Sequence, residues 1–329
     1  MEDWQAFVKS KSSNLVADNF ICDASGLGLI LVTGDDAEEF LQNQLSNDIN
    51  HIDESHHQLS AYSTPKGRML AIFRIVRISN GYILITPHTL VQSLLQRLQM
   101  FVIQSKVTLA DASAHFARFA IQFDIPDLDQ HLLLGQKTGE VYQDDNLISL
   151  RLDNLGQQSR YLFLYLTLDQ AKSQWETFSQ LLTVSSFDAW RLSEIKSGMP
   201  VIYPETSEEF VLQMSNLDLL GGVSFNKGCY PGQEIVARMQ YLGKLKRRLF
   251  LASFSTERCP APGDEMCLSG STTADGSGKI VDAVMDKQGI CTCLFIAQIK
   301  KAQTNQLRLL NQSDISLSLL ELPYSIPSD

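Results

Sequence analysis

The pattern of apolar and polar positions divides the chain into short strands and amphipathic helices. "GLGLILVTG" (26–34) is an apolar run closed by a glycine and predicts a strand. "DDAEEFLQNQLSND" follows, with Asp35 or Asp36 at the N-cap position and acids in the first turn, and predicts a helix. "MLAIFRIVRISNGYILIT" holds two apolar runs joined by Asn80-Gly81, the dipeptide of a type I′ hairpin turn. In "TLVQSLLQRLQMFV", Leu90, Val91, Leu94, Leu95 and Leu98 recur at helical spacing. "HFARFAIQF" and "RYLFLYLTL" predict strands, and "DQAKSQWETFSQLL" a helix. "FDAWRLSEIKSG" predicts another helix, stopped by Gly198 with Pro200 just beyond. After residue 240 the texture changes to short strands between Gly, Pro and Ser clusters, which is the mark of a small all-β module. The pattern predicts an α+β region over 1–240 followed by a β-barrel or sandwich over 241–329.

Composition adds bounds. The chain has 329 residues, 44 % of them apolar and 19 % charged, enough for two domains at about 150 residues each. Its net charge of −10 argues against a surface built to coat nucleic acid, where affinity comes mostly from neutralised phosphates. "MEDWQAFVKSKSSN" carries two acids and no apolar h-region, so no secretory signal is expected. No apolar run approaches the ~18 residues of a membrane span. The six cysteines are irregularly spaced and do not form a disulfide framework. A reduced, cytoplasmic protein is expected, with no membrane partner.

Metal chemistry finds little support. All six histidines lie within 51–131, and four of the six cysteines within 259–293, so no Cys/His zinc spacing exists. Cys259, Cys267, Cys291 and Cys293 are either a four-thiolate site or, as the favoured reading, buried cysteines of a β-core. No metal ligand is assigned.

One stretch carries more chemistry. In "FNKGCYPGQEIVAR" (225–238), an extended backbone would put Lys227 and Cys229 on one face. An ammonium within ~4 Å of a thiolate is worth ~1 kcal/mol in water and ~4 at an effective dielectric of 20. A helix starting near Gln233 would add free N–H groups acting in the same direction. This pairing reads as an activated thiol; the alternative is a solvated lysine beside a buried cysteine. Lys244, Lys246, Arg247 and Arg248 join Lys227 and Arg238 to make six cations against Glu234 within 225–250. Such a run is a solvated face, a clamp for an anionic ligand, or a patch for RNA. Trp190 is either a core residue or a stacking platform for a flat heterocycle.

"NLDLLGGVSFNKGCYPGQEIVARMQYLGKLKRRL" is similar to the signature of the YgfZ-type folate-binding proteins, relatives of the T-protein (aminomethyltransferase) of the glycine cleavage system. The core Lys-Gly-Cys-Tyr-x-Gly-Gln-Glu is present as Lys227 to Glu234. "VTGDDAEEFLQNQLSNDI", "STPKGRML", "AWRLSEIKSGMPVI" and "LPYS" carry the resemblance through most of the chain. It implies a T-protein-like fold, two interleaved α/β subdomains around a central folate channel, then a C-terminal β-barrel. It also implies tetrahydrofolate or a derivative as ligand, and a supporting role for iron–sulfur enzymes, including those that modify tRNA. Direct contact with tRNA is not expected. Trp190 takes the family's folate-contacting tryptophan position, and Tyr230, Gly232, Gln233 and Glu234 complete the implied folate site. Cys229 and Lys227 would be the reactive pair beside it, with the glycines letting backbone pass close to the channel.

Departures bear on activity. The family's second folate-contacting tryptophan is Leu27 here. The aminomethyltransferase's catalytic acid pair falls on Leu70 and Ala71, and its pterin-binding Glu on Lys196. Without those carboxylates the resemblance implies folate binding without glycine cleavage, in an accessory protein rather than an independent turnover enzyme. A folate-dependent aminomethyl transferase is the alternative.

Overall fold

The computed structural model describes every residue except 1, 12, 14, 126–127, 129–136, 275, 305, 313 and 328–329, so His131 lies outside the described residues. Helix α1 (Glu2–Lys11) precedes strands β1 (Phe20–Asp23) and β2 (Leu27–Thr33). Helix α2 (Ala37–Gln44) leads to β3 (His57–Ser63) and to the hairpin of β4 (Met69–Ile78) and β5 (Gly81–Pro87). Then come α3 (Val91–Gln99), β6 (Thr108–Asp111), β7 (Ala117–Phe123), β8 (Val141–Gln143), β9 (Leu147–Leu155) and β10 (Gln158–Tyr165). They are followed by α4 (Leu168–Ser179), β11 (Thr183–Ser185), α5 (Phe187–Lys196) and α6 (Gln233–Tyr241). The chain closes with β12 (Arg247–Ser255), β13 (Glu265–Leu268), β14 (Gly278–Met285), β15 (Ile290–Gln298), the single turn α7 (Ile299–Ala302), β16 (Leu307–Leu309) and β17 (Ser318–Leu320).

These elements form two compact units that interleave in sequence. The first comprises 1–42, 48–59 and 73–190; the second comprises 43–47, 60–72 and 191–329. Residues 191–240 therefore group with the β-sheet that follows them, whereas the change of texture in the sequence placed a boundary at 240/241. Composition reports where strands become short. It does not report which segments pack together.

The first unit contains the sheet β11-β1-β7-β10-β9-β8, antiparallel throughout except for the parallel pair β1 and β11. Its central strand β7 is buried at every position, which fits the near-continuous apolar run that predicted it. Side chains of alternate positions feed two cores. Cys22, Ala120, Leu150, Leu162 and Trp190 belong to one, and Phe119, Phe163, Trp4, Trp175 and Phe178 to the other. In the second core Trp175 stands edge-on to Phe119 at 5.8 Å, an arrangement that complements the ring quadrupoles.

The sheet β3-β4-β5-β2-β6 contains the predicted hairpin, with one change. Ile78 pairs with Gly81, so the two turn residues are Ser79 and Asn80 rather than Asn80 and Gly81. Gly81 opens β5 with φ 152, and a Cβ there would lie 2.1 Å from the Val32 carbonyl oxygen. The glycine serves a close approach to β2, not the turn itself.

The second unit is dominated by the antiparallel sheet β16-β13-β14-β15-β12-β17. It curls into a half-barrel open at β16 and β17. Phe254, Met266, Ile280, Cys291, Cys293 and Phe295 fill its core. Buried Asp282 on β14 takes Arg191 as an ion-pair partner and accepts a hydrogen bond from the Tyr203 hydroxyl at 3.1 Å. Of the four cysteines read as buried members of a β-core, Cys267, Cys291 and Cys293 are buried, whereas Cys259 is half-buried with its Sγ 3.7 Å from Cys291 Sγ. Among the described residues no cluster of three or more His, Cys, Asp or Glu side chains could hold a metal ion, and no helix is long and apolar enough to cross a membrane.

Candidate functional site

The stretch 221–234 is fastened within the second unit to two segments far away in sequence. Ser46 Oγ donates to the Gly222 carbonyl at 2.7 Å, Asn47 Nδ2 donates to the Gly221 carbonyl at 2.7 Å, and Ser224 N donates to the Ser46 carbonyl at 3.0 Å. Lys227 completes the attachment. Its Nζ donates to the carbonyls of Leu45 at 2.7 Å and Asn47 at 2.8 Å, and lies 5.3 Å from the centre of the Tyr230 ring. A buried ammonium needs such acceptors, because an uncompensated charge away from water is costly.

This geometry corrects the same-face reading of Lys227 and Cys229. Residues 225–227 form a bend instead of a strand, so the period-two alternation does not apply. Lys227 is buried at 8 % exposure, while Cys229 two residues later is exposed. The lysine turns inward to hold the loop, and the thiol turns outward. Cys229 is the one exposed cysteine among the described residues.

The glycines also take on different tasks. A Cβ on Gly228 would meet nothing within 4 Å, so no close approach requires glycine there. Gly232 is the opposite case. It caps α6 in the left-handed region at φ 85, and a Cβ would lie 2.6 Å from Gly67 Cα and 2.7 Å from the Thr64 carbonyl oxygen. Gly67 itself has φ 70 and closes a turn by donating its N–H to the Thr64 carbonyl at 2.8 Å. The close approach expected against a ligand is thus made against "STPKGRML", another motif segment of the same unit. Gly232→Ala should lower stability by about 2 kcal/mol, from left-handed strain plus contact with backbone that cannot move aside. Thermal unfolding compared with Gly228→Ala, expected near wild type, checks this.

The remaining predicted site residues are placed as follows. Tyr230 is buried, and burial pushes its phenol up to about 12. Gln233 Nε2 donates to the Lys227 carbonyl at 3.4 Å, and Glu234 is exposed in the first turn of α6. Trp190 belongs to the first unit, at 3 % exposure in its core, with the Arg160 guanidinium 5.6 Å from its ring centre. Leu27 packs against that same core. Leu70 and Ala71 are buried in β4, and Lys196 ends α5. The loop residues and Trp190 fall in different units. What residue-by-residue reading missed is the acceptor set at Leu45 and Asn47, although both lie in "VTGDDAEEFLQNQLSNDI", a segment that carries the resemblance.

Residues 1–122 match the family model described as the GCVT N-terminal domain. A Colwellia psychrerythraea protein named tRNA-modifying protein YgfZ is 29 % identical over 94 % of this chain and 94 % of its own length. A Yersinia enterocolitica protein of the same name is 26 % identical over 92 % of this chain and 91 % of its own. Over almost all of its length the chain is similar to proteins of the YgfZ name. Another relative, named only as an uncharacterized protein of Haemophilus influenzae, is 30 % identical over 91 % of this chain and 95 % of its own length. The fold of this chain is that of the aminomethyltransferases. The glycine cleavage system aminomethyltransferase T from Bartonella henselae matches with a TM-score of 0.73 at 14 % identity, covering 93 % of this chain and 86 % of that one. In this chain the Lys-Gly-Cys-Tyr-x-Gly-Gln-Glu motif builds an anchored loop with an outward thiol.

Proposed function

We propose that this chain is a folate-binding accessory protein that supports iron–sulfur enzymes and, through them, the modification of tRNA. The observation that carries the reading is the Cys229 loop: an exposed thiol on a backbone held by the buried Lys227 ammonium and by Gly232. A thiol kept only for packing would be buried, as Cys22, Cys267, Cys291 and Cys293 are. The names of the relatives supply tRNA modification, and the aminomethyltransferase fold supplies the expectation of tetrahydrofolate or a derivative.

The residues present fit such a ligand in donor and acceptor terms. Gln44 Oε1 and Ser63 Oγ are buried without a hydrogen-bond partner among the described residues. Their sequence neighbours Leu45 and Tyr62 pair in an isolated antiparallel bridge. Unpartnered buried oxygens are costly, and the ring N–H and amino groups of a pterin would satisfy them. Trp190, Tyr230, Gly232, Gln233 and Glu234 remain the residues that the family pattern assigns to folate. Leu70 and Ala71 offer no carboxylate for a glycine cleavage step, which favours binding over aminomethyl transfer. A cytoplasmic location fits clients that act on tRNA.

Calorimetric titration with tetrahydrofolate tests the ligand. The reading expects saturable one-to-one binding and a higher unfolding temperature, with ~2.7 kcal/mol of stabilisation at a hundredfold excess over Kd. Absence of binding heat and of any shift in unfolding would contradict it.

A further inference from the structure

The surface next to the thiol loop has apolar side chains that the proposed function leaves unused. Helix α6 ends at Tyr241, which is 68 % exposed, and Leu242 beside it is 86 % exposed. Single exposed apolar residues are ordinary. Here two are adjacent, and exposed Arg238, Lys244 and Lys246 flank them. No acid occurs between residues 235 and 248, although the chain as a whole carries −10. An apolar tip inside a basic rim is the reverse of the chain's average surface.

The tip and the thiol share one region of the second unit. The ring of Phe225, at the start of the loop, stands edge-on to Tyr241 at 6.1 Å with 71° between the planes. The chain from Phe225 to Cys229 can reach at most about 14 Å. A standard protein interface covers about 800 Å² per partner, a patch about 30 Å across. Tyr241, Leu242 and Cys229 therefore fit under one footprint.

We infer that Tyr241 and Leu242, with Arg238, Lys244 and Lys246, form a docking face for an acidic protein surface that has an apolar recess for Leu242, and that docking brings this partner against Cys229. The charge pattern selects the partner: carboxylates around the recess would complement the basic rim and raise the association rate. RNA fits less well. It would meet the cations and could stack on Tyr241, but it gives Leu242 nothing apolar to enter. The inference rests on the proposed role in supporting iron–sulfur enzymes and names the chemistry of the client's contact surface.

The probes are a purified iron–sulfur tRNA-modifying enzyme and bulk tRNA, each titrated against the immobilised full chain at low and moderate salt. The enzyme should bind the wild type, and Leu242→Ser should weaken binding at least tenfold. The pair Lys244→Glu and Lys246→Glu should also weaken it at least tenfold and flatten its salt dependence. Unfolding temperatures of these surface variants should match wild type. Equal binding of the enzyme to all three proteins overturns the inference, as does its failure to bind any. Binding of bulk tRNA alone, lost in the charge-reversed protein, overturns it in favour of an RNA face. Client-enzyme activity in cells separates this failure from failure of the functional reading. If Cys229→Ser abolishes support while Leu242→Ser keeps it, the docking face alone is wrong. If cells lacking the whole protein keep full client activity, the functional reading is wrong as well.

Discussion

Lys227→Met should destabilise the second unit by about 4 kcal/mol. The side chain keeps most of its volume but loses two charge-assisted hydrogen bonds, to Leu45 and Asn47, each worth ~1.5–3 kcal/mol. It also leaves those carbonyls facing an apolar group, and it loses the contact with the Tyr230 ring. Relief of the buried charge offsets part of the loss. Thermal or urea unfolding followed by circular dichroism reads the effect, with a fall in Tm on the order of 5 °C or more. An unchanged Tm would mean that the ammonium does not hold the loop. The same change should reduce support of client enzymes, because it loosens the segment that presents Cys229.

Cys229→Ser should do the reverse: leave stability within about 0.5 kcal/mol, as surface substitutions do, and remove function. The side chain is exposed, and the attachments of the loop run through Lys227, Ser46, Asn47 and Gly232. Activity of an iron–sulfur enzyme in extracts should fall to the level of cells lacking the protein, while tetrahydrofolate binding persists. Serine keeps the size and a hydrogen-bonding group but not the nucleophilic or metal-binding sulfur. Wild-type activity in this variant would make the cysteine dispensable and leave Lys227 and Gly232 as purely structural members of the motif.

The helices and strands were legible because their signals are local. The apolar spacing of Val91, Leu94 and Leu98 appears as the buried face of α3, and Gly198 stops the helix of Trp190 with φ 69. The hairpin was legible but its turn was displaced by one residue, because Gly81 answers to Val32 on a neighbouring strand and not to the turn. The candidate site was legible as a motif and misread as geometry. Period-two alternation holds only for extended backbone, and the bend at 225–227 sends Lys227 inward. Its acceptors at Leu45 and Asn47 lie about 180 residues away in sequence. No local pattern encodes such a partner. The same non-local packing draws 43–47 and 60–72 into the unit of 191–329, which is why the change of texture at 240 does not mark where compactness divides.

The most direct test of the accessory role is the amount of sulfur-containing nucleosides that iron–sulfur enzymes install in tRNA. It is measured by mass spectrometry of tRNA from cells lacking this protein, with and without the wild-type chain restored. A marked deficit is expected in the deficient cells, full recovery with the wild type, and no recovery with Cys229→Ser. Normal nucleoside levels in cells without the protein would contradict it.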